Sequence, residues 1–109
     1  MKMKDYTSDG EKVILLHVAR KLAPITVDYV EHRRGDVKNV LAALEQGNYD
    51  RIRVLGHNMK GTGAAFGLSD ITDIGRSMER AAEDHGPEEV RRLVARLRDY
   101  VDCVEIVSD

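Results

Sequence analysis

The sequence predicts an all-α protein, an antiparallel up-and-down four-helix bundle preceded by a short additional helix. Apolar residues recur three, four and seven positions apart along nearly the whole chain, the signature of helices with one buried face. Residues that stop or start helices fall at wide intervals, at Pro24, Gly47 and Gly86-Pro87, and leave short links that favour antiparallel neighbours. Neither the alternation of Val, Ile and Thr nor the Asn-Gly turns that announce a sheet are evident.

Each helix has its own signals. Ser8-Asp9-Gly10-Glu11 fits a capping box that opens a first helix through Val13, Ile14, Leu16 and Leu22. Pro24, which lacks a backbone N–H, sets a boundary there. The second helix carries Val27, Val30, Val37, Leu41 and Leu44, tolerates Gly35 in its interior, and ends at Gly47 with Asn48 free to cap its successor. A third runs from about Tyr49 to Phe66 and buries Ile52, Leu55, Met59 and Phe66. Ser69 caps a fourth, whose Ile71, Ile74 and Met78 face inward before His85-Gly86 stops it. Pro87 begins the last, with Glu88 and Glu89 at the positive end of its dipole and Val90, Leu93, Val94, Leu97, Val101 and Val104 buried.

Composition narrows the classes of function. The 109 residues suit one domain, residues 1–109, and a core of aliphatic and Met side chains, since there is no Trp. With 17 basic and 19 acidic residues the chain lacks the positive excess of a nucleic-acid binder, and Glu31-His32-Arg33-Arg34 reads as a solvated helix face. Cys103 is the only cysteine, which excludes an internal disulfide and fits a small buried hydrophobe. No apolar run approaches the roughly 20 residues that span a bilayer, and no secretory core follows Met1, so a cytoplasmic protein is expected. No Glu-x-x-His pair, Walker motif or carboxylate cage is present, so neither metal nor nucleotide is expected on this chain.

The chemistry concentrates in His57-Asn58-Met59-Lys60-Gly61-Thr62-Gly63-Ala64-Ala65-Phe66-Gly67. On a helix, His57, Lys60, Gly61 and Ala64 share one face, offset from the buried Ile52, Leu55, Met59 and Phe66. His17, His32 and His85 each have an ordinary structural explanation, whereas an exposed imidazole beside an ammonium is readily phosphorylated. Imidazole has an unperturbed pKa of about 6.5, so near neutral pH much of it is nucleophilic, and the Lys60 charge favours that form. Lys60 would then offset the charge of an attached phosphoryl group. Gly61 is disfavoured by helix propensity, and its bareness one turn from His57 clears space for another protein's active site. Close helix packing explains Gly63 better.

These residues resemble the phosphoacceptor motif of histidine-containing phosphotransfer (HPt) domains, in which His, any residue, an apolar residue, Lys and Gly are followed by small residues and a further Gly, here Gly67. The likeness covers most of the chain, including the Gly-Asn-Tyr-Asp link at 47–50. Gly56 and Gly63 depart from the family's usual Ala or Ser. The resemblance implies that His57 is phosphorylated through Nε2, that Lys60 assists electrostatically and that Gly61 admits the partner. Arg53 and Ala64, a turn away, extend the docking face. The partners implied are response-regulator receiver domains or a histidine kinase, with Mg²⁺ on the receiver and no independent kinase activity here. A monomeric phosphorelay intermediate is the leading expectation. A non-phosphorylated adaptor that binds a receiver or kinase, and the phosphoacceptor domain of a chemotaxis-type kinase, are the alternatives.

Overall fold

The computed structural model describes the backbone of residues 2–8 and 11–108 and the side chains of residues 13–108. Four helices dominate it: α1 (Ala23–Glu45), α2 (Tyr49–Thr62), α3 (Ser69–Glu83) and α4 (Pro87–Cys103). Around them lie three strands, β1 (Lys2–Ser8), β2 (Glu11–Val18) and β3 (Val104–Ser108), in the order β1-β2-β3.

The helix boundaries follow from local chemistry. Pro24 lies in the first turn of α1, where its missing N–H costs nothing, and the buried Thr26 hydroxyl donates to Leu22 O at 2.8 Å. Gly47 ends α1 with φ of 67°, and two bonds close the turn, Gly47 N–H to Leu44 O and Asn48 N–H to Ala43 O. Asn48 then caps α2, its Oδ1 accepting from Arg51 N–H at 3.1 Å. The same pair of bonds closes α3, from His85 to Ala82 and from Gly86 to Ala81. There the left-handed residue is His85, with φ of 51°, rather than the expected Gly86, and its ring stacks on Tyr49 at 4.5 Å.

The N-terminal region corrects the all-α expectation. Where a short additional helix was expected, β2 pairs antiparallel with β1 and parallel with β3. Ile14, Leu16 and Val18 are buried while Val13, Leu15 and His17 between them are half-buried, a period of two. The run Val13–Val18 is apolar at nearly every position, so its sequence fits a strand and a buried helix equally well. Its partner β3 decides the matter from ninety residues away, through Leu16 opposite Ile106. Ser8 and Glu11 oppose each other across the hairpin. The capping box expected of them involves Asp9, Gly10 and side chains that lie outside the described residues.

Smaller corrections share one cause, tertiary contact overriding local pattern. The last helix stops at Cys103, and Val104 opens β3. Leu68, not Ser69, is the N-cap of α3. α2 ends at Thr62, and a 3-10 turn over Ala64–Phe66 carries Phe66 onto Tyr29, ring centroids 4.2 Å apart. On α1 the buried face is Thr26, Tyr29, Val30, Val37, Val40 and Ala43, while Val27 and Leu41 are exposed. Val27, Arg34 and Leu41 are seven apart and share the outer face. From it Arg34 reaches α4, donating to Asp102 Oδ1 and, at 3.1 Å, to the Val101 carbonyl in the last turn.

The core joins both layers: Ile14, Leu16 and Val18 from the sheet meet Ile52, Leu55, Met59, Ile71, Ile74, Met78, Leu93 and Leu97 from the helices. Each such side chain contributes roughly 1.5–3 kcal/mol on burial. α1 also buries one ion pair, Arg33 Nε 2.7 Å from Asp36 Oδ2, with the guanidinium over the Tyr29 ring. Burial pushes the Asp36 carboxyl up, against the lowering effect of Arg33.

α2 and α3 approach each other through glycine. A Cβ on Gly75 would stand 2.4 Å from Lys60 N and 2.6 Å from Gly56 O, and one on Gly63 2.5 Å from Thr72 N. Gly75→Ala should therefore lower stability in urea denaturation by about 3 kcal/mol. Gly35→Ala, in open space within α1, should raise it by about 0.5–1 kcal/mol. Effects of equal sign at the two positions would contradict this account of the helix contact.

Candidate functional site

α2 holds His57 on its outward face, with 62% of the side chain exposed. The buried residues Ile52, Leu55, Gly56 and Met59 fix the opposite face against the core, so the rotation of the helix sets the exposure of the imidazole. Lys60 lies one turn on, half-buried, and Gly61 beside it is exposed.

A residue the sequence reading did not select completes the arrangement. Glu79 of α3 spans the two: its Oε2 is 2.9 Å from His57 Nδ1 and its Oε1 accepts from Lys60 Nζ at 2.6 Å. Only 15% of its side chain is exposed. The hydrogen bond from Lys60, aided by His57, holds the Glu79 carboxyl below the usual carboxylate range despite partial burial. An ionised carboxylate can only accept, so Nδ1 carries the ring proton and the lone pair is on Nε2. Among the described residues nothing bonds to Nε2. Lys60 is thus not the free cation pictured from sequence; its charge is already matched by Glu79.

The position of Glu79 follows from the glycine contact. A Cβ on Gly56 would meet Glu79 N at 2.8 Å and Gly75 O at 2.9 Å, so the backbone of Glu79 lies directly against the residue that precedes His57. Gly56 and Gly63, which depart from the resembled motif, are both packing residues. Gly61 is different: a Cβ there would meet nothing within 4 Å. Packing among the described residues gives no reason for its bareness.

The remaining expected site residues are nearby with other engagements. Arg53 is bound to Asp50 one turn back, at 2.9 Å. Ala64 is exposed in the 3-10 turn, which is pinned where its N–H donates to Thr72 Oγ1 at 2.8 Å. Val54, also missed, is an exposed hydrophobic residue one turn before His57. On the other flank the Tyr29 hydroxyl meets Thr62 Oγ1 at 2.7 Å, and Thr62 in turn donates to Asn58 O, tying the end of α2 to α1. The sequence carried a faint signal for Glu79 in the pairing of Gly56 with Gly75, since helices that meet at glycines bring the next residues together. No such signal marks Val54 beyond its spacing of three from His57.

Among the described residues no group of three or more His, Cys, Asp or Glu side chains is placed to hold a metal ion. Nor, among the described residues, is any helix long and apolar enough to cross a membrane. A family model described as Hpt domain matches residues 26–105, more than half of the chain. Neither the curated proteins nor the solved structures contain a significant match.

The bridge makes stability depend on pH in a defined direction. Because the folded Glu79 carboxyl titrates below its ordinary value of 4.5, its contribution is present above that range and is lost as pH falls through the folded value. The stability difference between the protein and Glu79→Gln should therefore hold steady from neutral pH to about pH 5 and shrink below it. Chemical denaturation at a series of pH values measures this; a difference that persists undiminished into acid would contradict the bridge.

Proposed function

The chain belongs to the Hpt domain family, and from that premise we propose that it is a histidine phosphotransfer protein of a phosphorelay, with His57 as the phosphoacceptor. Hpt domains serve histidine phosphotransfer and interact with receiver domains and kinases. The observation that carries the assignment to His57 is the exposed imidazole whose Nδ1 is occupied by Glu79 and whose Nε2 is unengaged.

The step needs little from this chain beyond position. A receiver presents an aspartyl phosphate; the Nε2 lone pair attacks phosphorus, the P–O bond to the aspartyl oxygen breaks, and the carboxylate leaves with the bonding electrons. The receiver supplies Mg²⁺ and its acidic pocket, so electrostatic stabilisation of the transferred group belongs to the partner. Lys60 assists from the side of the ring, shared between Glu79 and the arriving phosphoryl oxygens. Transfer then runs onward to a second receiver by the same step.

Gly61 is the point of entry. Open space above it leaves the approach to Nε2 clear, and Val54 and Ala64 on the same exposed face offer apolar contact to the docked partner, with Arg53 at its edge. The family's antiparallel bundle order is supported by the pattern of contacts, since Gly56 opposes Gly75 and Glu79 whereas Gly63 opposes Ile71 and Thr72. The reading carries with it one monomeric domain over residues 1–109 that acts in the cytoplasm and has no kinase activity of its own.

Incubation with a phosphorylated receiver should label the protein in an acid-labile form, and His57→Gln should abolish the label. Labelling that survives the substitution would overturn the assignment. Gly61→Leu should fold normally, because nothing crowds the position, yet slow transfer by at least about tenfold, equivalent to about 1.4 kcal/mol in the barrier. An unchanged transfer rate in that variant would remove Gly61 from the docking face.

A further inference from the structure

We propose that the cavity between β2 and α4 is a binding site for a small zwitterion, an α-amino acid with an apolar side chain. The site is separate from the phosphoacceptor and does not depend on the role of His57. Its one lining residue on α3, Asp70, precedes Glu79 by nine residues, roughly 14 Å along the helix.

The cavity measures about 410 Å³, within the roughly 300–1,000 Å³ of small-molecule sites. Arg92, Arg96, Asp99 and Tyr100 line it from α4, with Ile14 from β2 and Asp70 from the first turn of α3. The four positions on α4 share one face of that helix, the stripe that borders β2. Ile14 and Tyr100 are buried and form an apolar floor. Arg92, Arg96 and Asp99 are exposed and Asp70 is half-buried, so the charges stand at the mouth.

The pairing of these charges points to the ligand. Arg33 and Asp36 on α1 form an ion pair at a spacing of three. Arg96 and Asp99 have the same order and spacing, yet neither they nor Asp70 make a side-chain hydrogen bond or ion pair among the described residues. Arg92 is engaged by Glu89, its Nε 2.9 Å from Oε2, and adds positive field to the mouth. A simple anion would meet two carboxylates here, and a simple cation two guanidinium groups. A molecule with both charges meets each with its opposite: its carboxylate takes the planar fork of Arg96, and its ammonium lies towards Asp99 and Asp70. Side chains three apart on a helix start only about 5–6 Å apart, so groups on a single carbon can reach both. The apolar remainder then lies over Ile14 and the Tyr100 ring.

The test needs neither a partner nor phosphate, so its failure would leave the phosphoacceptor reading untouched. The full chain is titrated near neutral pH with leucine, with isocaproate, which lacks the ammonium, and with isoamylamine, which lacks the carboxylate, while its amide NMR signals are followed. Leucine should shift the amides of Asp70, Arg96 and Asp99 and saturate by about 10 mM, and each single-charge analogue should bind at least about fivefold more weakly. Arg96→Gln and Asp99→Asn should each weaken leucine by about threefold or more. Both residues are exposed, and the same spectra report whether the variants are folded. Leucine shifts that are absent or still linear at about 10 mM would overturn the proposal. Equal binding of leucine and either analogue would also overturn it, as would unchanged affinity in both variants.

Discussion

The rest of the structure depends on the close approach of α2 to α3. At Gly56 and Gly75 the two backbones come so near that a single added carbon on either would stand within 3 Å of the other helix's main chain. That approach brings α3 close enough for one Glu side chain to reach two residues of α2 at hydrogen-bond distance. Packing thus precedes electrostatics here: the glycines set the distance, and the distance lets Glu79 saturate Lys60 and orient His57. The cost of glycine in a helix, about 1 kcal/mol at each position, is offset by contacts that only glycine permits.

Much of the molecule was legible in its sequence because the relevant signals are local. Pro24, Gly47-Asn48 and Gly86-Pro87 act on the turns in which they occur, and each sits at or beside a helix end. What escaped was set by pairing across the chain. The strand character of Val13–Val18 depends on β3 at the far end, and the exposure of Val27 and Leu41 depends on which face of α1 the bundle covers. The candidate site divides in the same way. His57, Lys60 and Gly61 are four residues apart at most and could be placed on one face by helical geometry alone, whereas Glu79 enters through the register between two helices, which no single segment encodes.

The three glycines of the site helix show how alike residues come to differ. Gly56 and Gly63 face α3 and have no room for a side chain; Gly61, between them in sequence, faces outward with nothing above it. Helix propensity treats all three equally, so propensity could mark them as unusual but could not say why. The direction each faces assigns the first two to the fold and leaves the third to whatever arrives from outside. α1 completes this division on the other flank, where Tyr29 and Phe66 hold the end of α2 by ring stacking.

The parallel pairing of β2 with β3 closes a long loop, drawing together segments ninety residues apart. Closing so long a loop is entropically demanding and comes late when shorter contacts are available. The His57–Glu79 contact spans only twenty-two residues and lies wholly within the helices. The order of assembly therefore favours the reactive centre: α2 and α3 can dock before the termini meet, and the sheet acts as a clasp over a bundle whose chemistry is already in place.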